Sequence, residues 1–203
     1  MNKRLKNLVG FFDLSSHEYL HPWSRWTIVG SYMLFIYISL PITPVALEMA
    51  ISRIGRQNMK VLISIGLLAA VITMVYIMLM GIPKSKWWWT VLPFLGVVGL
   101  ASSMGTFVER IHFLEYAILA YLMYWAAGWP RGKWVVVVSV AAMMVGLLDE
   151  CIQWTLPNRH FDLWDVIMNA IGATLGLWFG VMIRQSGRAG DDRVTLQGQG
   201  QQK

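Results

Sequence analysis

Residues 149–169 read DECIQWTLPNRHFDLWDVIMN and separate two strongly apolar segments of the chain. The stretch carries four carboxylates, one arginine, one histidine, one glutamine and two asparagines. Charged groups near hydrocarbon are costly, so they persist mainly where they pair, reach water or perform a function. We therefore predict that the flanking segments are membrane helices and that the polar stretch contains the functional site.

The composition around this stretch is typical of a membrane protein. Of the 203 residues, 56% are hydrophobic and only 14% are charged, and the mean hydropathy is +0.51. A membrane-spanning helix needs about 20 consecutive apolar residues. Three uncharged runs reach this length and three shorter runs follow them, so we predict an all-α, polytopic integral membrane bundle with about six transmembrane helices. The predicted helices lie near residues 26–47, 61–82, 88–106, 110–128, 133–153 and 163–184.

The basic residues predict the orientation of this bundle. If the N-terminus is cytoplasmic and six helices span, twelve of the 17 basic residues lie in the cytoplasm and five lie outside, as the positive-inside rule requires. The net charge of +6 therefore reflects topology and not nucleic-acid binding. We expect a bacterial cytoplasmic (inner) membrane protein with both termini in the cytoplasm. Three of the five outer basic residues precede residue 61, which leaves 41–58 open as an interfacial or re-entrant helix begun by Pro41 and Pro44.

Composition divides the chain into four predicted parts. These are an interfacial N-terminal segment (1–25), an extra N-terminal helical pair (26–86), a four-helix core (87–186) and a disordered polar tail rich in glycine and glutamine (187–203). The single cysteine, Cys151, excludes an intrachain disulfide, and we expect it to be a small buried residue.

The last predicted helix has one face of small and polar residues. Asp165, Asn169, Gly172, Gly176 and Gly180 are spaced at i, i+4, i+7, i+11 and i+15, which is a single helical stripe. Small residues at such a spacing allow two helix backbones to approach closely in lipid. We predict that the three glycines pack against another helix and that Asp165 and Asn169 lie inside the bundle at its outer end.

Two other predicted helices carry polar residues at the same membrane face. Glu150 and Gln153 are three residues apart at the end of the fifth helix, and Glu109, His112 and Tyr116 follow i, i+3, i+7 at the start of the fourth. Successive spans alternate in direction, so the start of the fourth, the end of the fifth and the start of the sixth helix share one side. The three polar groups are therefore predicted to converge at the outer face.

At these residues the chain resembles the VanZ-like family of membrane proteins, over about residues 88–184. The later part of the family pattern matches Glu150, Gln153, Arg159, Phe161-Asp162, Asp165, Asn169, Gly172 and Gly176. The earlier acid-Lys-x-x-His-Phe-x-x-Tyr element matches residues 109–116, with Glu109 and Arg110 in place of the family's Asp and Lys. The resemblance implies a cell-envelope context and supplies no reaction.

The convergence and the resemblance together predict a ligand-binding site. Its candidate residues are Glu109, Arg110, His112, Tyr116, Glu150, Gln153, Arg159, Asp162, Asp165 and Asn169. Seven acidic and five basic residues face outward in the predicted topology, so sugar hydroxyls or an ammonium group suit the site better than a bare pyrophosphate. We expect a multi-pass accessory protein of the cell envelope that recognises the headgroup of an amphiphile or envelope glycolipid at the outer leaflet.

Two alternatives remain open at this point. In the first, the polar residues form a structural lock in a subunit of a larger membrane complex. There Arg159 pairs with Asp162, Asp165 or Glu150, and His112 hydrogen-bonds an acid or Asn169. In the second, the protein is a membrane-embedded enzyme acting on a lipid-linked substrate. There His112 acts as a base with Glu150 or Asp165, or a metal binds His112, Glu150, Asp162, Asp165 and His160. We expect membrane lipids and a membrane protein as partners, no nucleic acid, and neither cofactor nor metal.

Overall fold

The structure is a computed structural model that describes residues 20–81, 87–88, 91–93, 95–96, 99, 107–157 and 159–200. Within these helices the side chains of residues 78, 80, 81, 107–110 and 186–200 are outside the description. The described residues form helices and contain no strand. The long helices are α1 (Pro22–Ile54), α2 (Arg56–Gly81), α3 (Phe107–Ala126), α4 (Lys133–Thr155) and α5 (Leu163–Gly200).

Four of these helices contain segments long and apolar enough to cross a membrane, which confirms the all-helical membrane class. The segments are Pro22–Ile54, Arg56–Ile77, Lys133–Thr155 and Leu163–Gln185. Helix α3 is not among them, and the side chains at its start, 107–110, lie outside the described residues. The predicted span at 88–106 lies largely outside the described residues. A total of six spans therefore stays a prediction.

Helix α1 continues through both of its prolines. Pro41 and Pro44 lie inside it, and it ends only at Ile54, where Gly55 with φ of 85° links it to α2. The interfacial or re-entrant helix considered for 41–58 is therefore not formed as a separate element. Proline removes a backbone hydrogen bond from a helix interior, but a helix within a bundle tolerates this where neighbouring groups satisfy the freed carbonyl.

Helices α3 and α5 form the centre of the bundle and touch backbone to backbone. A Cβ added at Gly176 would lie 2.6 Å from the carbonyl carbon of Ala117, and one at Gly172 would lie 3.1 Å from that of Phe113. At Gly180 the nearest atom is a ring carbon of Tyr124, 2.7 Å away. The glycine stripe of α5 is thus the face on which it contacts α3.

The N-terminal helices attach to the rest of the bundle through side-chain hydroxyls and apolar contacts. The Tyr32 hydroxyl of α1 donates to the Glu115 carbonyl of α3 at 3.3 Å, and the Tyr37 hydroxyl donates to the Val145 carbonyl of α4 at 3.3 Å. On α2, Ile77 is buried in an apolar cluster with residues of α5. The division into a pair at 26–86 and a core at 87–186 stays a prediction.

Two further features differ from the sequence-based expectations. Helix α5 extends to Gly200, although a disordered tail was expected from residue 187. Adding a turn to an existing helix avoids the cost of nucleation, so a polar segment can continue a long helix. Cys151 is exposed, whereas a buried position was expected. In sequence it lies between the buried Glu150 and Gln153. Its side chain nevertheless points away from the bundle, because neighbouring helical residues point about 100° apart.

Candidate polar site

The start of α3, the end of α4 and the start of α5 meet at one end of the bundle. The polar residues buried there are His112, Tyr116, Asp149, Glu150, Gln153 and Asn169, which we call the polar cluster. Asp149, Glu150 and Asn169 have no exposed surface at all. Buried polar groups are costly unless they are hydrogen-bonded, so the cluster depends on its internal contacts.

Gln153 holds the two buried carboxyl groups of α4. Its amide nitrogen donates to Glu150 Oε1 at 2.8 Å and lies 3.3 Å from Asp149 Oδ2. Residues three and four positions earlier lie on the same helical face, which brings both carboxyl groups within reach of one amide. The second oxygen of Glu150 accepts the backbone N–H of Asp162 at 3.2 Å. Glu150 therefore ties the end of α4 to the loop that precedes α5.

His112 joins α3 to α4. Its Nδ1 lies 3.4 Å from Glu115 Oε2 and 3.8 Å from Asp149 Oδ2. The Tyr116 hydroxyl lies beside Asp149 and 3.5 Å from the Val145 carbonyl. The carboxylates nearest to Nδ1 are thus Glu115, one turn along α3, and Asp149, which precedes Glu150. The hypothesis that His112 acts as a base with Glu150 or Asp165 stays a prediction.

Arg159 does not pair with an acid. Its Nη2 donates to the Leu40 carbonyl of α1 at 3.5 Å, and the described residues include no ion pair to Arg159. In a regular helix the Leu40 carbonyl would accept the N–H of residue 44, but Pro44 has none. The predicted pairing with Asp162, Asp165 or Glu150 is therefore replaced by a contact that satisfies a carbonyl freed by proline. The Nε of Arg159 is buried with no hydrogen-bond partner in the described part of the chain.

The remaining predicted residues on α5 shape its first turns. The Asp162 carboxylate accepts the Trp164 N–H at 2.8 Å, which satisfies a donor at the start of the helix. Asp165 lies in the first turn, close enough to act electrostatically on His112 and Glu150. Asn169 donates to the Gly146 carbonyl of α4 at 3.4 Å, where only glycine permits the two helices to approach.

A small crevice of about 20 Å³, room for about one water molecule, lies beside His112 at this end of the bundle. It runs between α1, α3 and the α4–α5 loop, and its lining residues are Ser39, Leu40, Thr43, Ile111, His112, Glu115 and Arg159. Exposed apolar side chains, including Trp154 and Trp164, lie on the neighbouring ends of α4 and α5. Hydrogen-bond donors and acceptors therefore lie beside an apolar surface.

The structure thus brings most of the predicted residues to one place. The side chains of Glu109 and Arg110 lie outside the described residues. Sequence reasoning missed Glu115, Asp149, and the Tyr32 and Tyr37 hydroxyls, which act from α1. Among the described residues no group of three or more His, Cys, Asp or Glu side chains is placed to hold a metal ion, and His160 is exposed.

Comparison with known proteins gives one finding. The family model VanZ/LLP1 matches residues 7–184, a wider region than the resemblance at residues 88–184. Neither curated proteins nor solved structures gave a match. Because the matched region covers most of the chain, this membrane protein belongs to the VanZ/LLP1 family.

Proposed function

We propose that this protein is a multi-pass accessory protein of the bacterial cell envelope that binds the headgroup of an amphiphile at the outer leaflet. The crevice beside the polar cluster is the observation that carries the proposal. It is lined by two hydroxyl residues, a histidine, a carboxylate and an arginine. Sites for small molecules commonly combine a few convergent polar groups with apolar walls.

The chemistry of the lining favours a headgroup rich in hydroxyls. Arg159 offers its buried Nε–H, which has no acceptor in the described part of the chain, and an unmade bond of this kind is costly. Glu115 offers carboxylate oxygens as acceptors. The same carboxylate, in the wall of the crevice, opposes a highly charged anion. A sugar headgroup supplies both donors and acceptors without adding much charge.

The apolar part of such a ligand has a surface beside the crevice. Trp154 and Trp164 are 71% and 64% exposed, and Leu163 is 63% exposed next to them. Tryptophan at a membrane interface packs its ring near the acyl chains with its N–H toward the headgroups. An acyl or isoprenoid chain can therefore lie along the ends of α4 and α5 while the headgroup rests at the mouth of the crevice, whose volume of about 20 Å³ admits a single hydroxyl-sized group.

A second candidate function is that of a subunit in a larger membrane complex. Helix α2 favours it, because almost none of the apolar stretch of Arg56–Ile77 is buried within the chain. A partner helix can cover such a face as readily as lipid. The third candidate, an enzyme acting on a lipid-linked substrate, rests on His112 between Glu115 and Asp149, and no further contact supports it.

Lipid retention by purified variants tests the proposal. The full chain is extracted in mild detergent, incubated with a total bacterial lipid extract, repurified, and its bound lipids are identified by mass spectrometry. A hydrogen bond to a charged group contributes about 1.5–3 kcal/mol, so Arg159→Gln should lower retention about tenfold. Arg131→Gln, which removes an exposed charge in the α3–α4 turn, is the matched control and should retain the parent's lipids.

The outcomes separate the candidates. Thermal stability of Arg159→Gln should stay close to that of the parent, because the bond lost to the Leu40 carbonyl is long, at 3.5 Å, and glutamine leaves no buried charge unpaired. Equal lipid retention by the parent, Arg159→Gln and Arg131→Gln would contradict headgroup binding in the crevice. A stoichiometric protein partner without a selectively retained lipid would support the subunit instead.

A further inference from the structure

The opposite end of the bundle carries a second group of buried nitrogen donors. There the α3–α4 turn lies against α1 and against α5 near residue 184. Trp129 is 4% exposed, and its ring packs edge-on against Tyr124 at 5.2 Å and Tyr121 at 6.0 Å between centroids. Trp129 has a φ of 58°, a value that non-glycine residues rarely adopt. The turn thus holds this indole in one orientation at a conformational cost.

The indole nitrogen of Trp129 and the Nε of Arg184 are both buried donors without an acceptor. Neither atom has a hydrogen-bond partner in the part of the chain that the structure describes. They belong to one group, since the Arg184 guanidinium lies 6.0 Å from the centre of the Trp129 ring. A buried donor that lacks an acceptor loses the bond it made in water, so two of them side by side indicate that an acceptor binds there.

The charge around this pair favours an anion as that acceptor. The guanidinium of Arg25 lies nearby, 5.8 Å from the centre of the Trp125 ring, and its Nε donates to the Leu20 carbonyl. All acidic side chains that the structure describes belong to the other end of the molecule: Glu48, Glu115, Asp149, Glu150, Asp162 and Asp165. Within the described residues, no carboxylate forms an ion pair with Arg184.

We propose that Arg184 and Trp129 bind the phosphate of an anionic phospholipid at the membrane face opposite the polar cluster. Guanidinium binds phosphate through parallel charge-assisted hydrogen bonds, and the indole N–H adds a third donor. Arg184 is partly exposed, so a headgroup can reach it from the membrane interface. In the predicted topology this end faces the cytoplasm, where anionic lipids attract basic residues. The proposal does not depend on the crevice at the other end.

Lipid-dependent thermal unfolding tests this site. The full chain is delipidated in mild detergent and melted with increasing phosphatidylglycerol, with phosphatidylcholine, or with inorganic phosphate. A ligand that binds only the folded state raises the melting temperature according to its affinity. We expect phosphatidylglycerol to stabilise the parent, and phosphatidylcholine or inorganic phosphate at equal concentration to have little effect.

Two variants and one control locate the effect. Arg184→Gln should weaken the apparent affinity for phosphatidylglycerol about tenfold or more, because it removes a charged donor. Trp129→Phe keeps an aromatic ring, removes the N–H and should weaken the affinity about fivefold. Lys133→Gln removes the same unit of charge from the same end, where Lys133 is exposed above Trp134, and should change the affinity less than about twofold.

Each other result overturns the proposal. An equal response to phosphatidylcholine would show that the site does not recognise an anion, and a full response to inorganic phosphate would exclude the lipid as the source. If Lys133→Gln lost as much affinity for phosphatidylglycerol as Arg184→Gln, the binding would be due to general surface charge. The absence of any response in the parent would show that these donors bind no anionic lipid.

Discussion

The contact between α3 and α5 predicts a large effect from the smallest substitution. In Gly176→Ala the new Cβ would lie 2.6 Å from the carbonyl carbon of Ala117 and 2.8 Å from its Cα. Carbon atoms in ordinary contact are about 3.5–4.0 Å apart, so the two helices must separate by about 1 Å. Both atoms belong to the backbone of α3, and no side-chain rotation can relieve the contact.

The magnitude follows from two opposing effects. Overpacking a well-packed contact costs about 1–3 kcal/mol, and a contact between two helix backbones belongs at the upper end of this range. Replacing glycine by alanine inside a helix returns up to about 1 kcal/mol. We therefore expect Gly176→Ala to lower the free energy of unfolding by about 2 kcal/mol. For a chain of this length that corresponds to a decrease of about 4–8 °C in melting temperature.

The assay is thermal unfolding of the full chain in mild detergent, with two other glycines for comparison. Gly66→Ala in α2 meets nothing within 4 Å and should melt at or slightly above the parent temperature. Gly180→Ala meets a ring carbon of Tyr124, which can rotate. Its melting temperature should therefore lie between those of Gly176→Ala and Gly66→Ala. If Gly176→Ala and Gly66→Ala melt alike, α5 does not contact α3 along this stripe and the fold described above is wrong.

Two further predictions concern the polar end of the bundle. In a Cys151→Ala background, a cysteine at the exposed position His160 should react with a membrane-impermeant thiol reagent added outside intact spheroplasts; labelling only after lysis would reverse the predicted topology. Gln153→Met should lower the unfolding free energy by about 2 kcal/mol or more, because two buried carboxyl groups lose their amide donor, whereas the exposed Gln57→Met should not. Equal melting of these two glutamine variants would show that the amide is dispensable.

Much of the fold was predictable because helical periodicity and chain parity are local properties of a sequence. The spacing from Asp165 to Gly180 identifies the face of α5 that contacts α3. The alternation of spans brings His112 and Glu150 to the same end. Both arguments need only the positions of apolar runs and the repeat of the helix, so they do not depend on how the helices are arranged around one another.

The contacts from α1 were not predictable in this way. The hydroxyls of Tyr32 and Tyr37 reach carbonyls 83 and 108 residues away, and no periodic signal relates such positions. Charge complementarity also misled the interpretation of Arg159, because it suggested an acid as partner. A backbone carbonyl that lacks its donor attracts a guanidinium too, and a list of charged residues does not show it.

The contact between Arg159 and α1 links two distant positions in the evolution of this chain. The Leu40 carbonyl lacks its helical donor because residue 44 is a proline, so a replacement at Pro44 supplies a competing donor within α1. A change at either site should therefore alter the effect of a change at the other. The linkage is also insensitive to acidity, since a backbone carbonyl, unlike a carboxylate, does not titrate in the range that an envelope protein encounters.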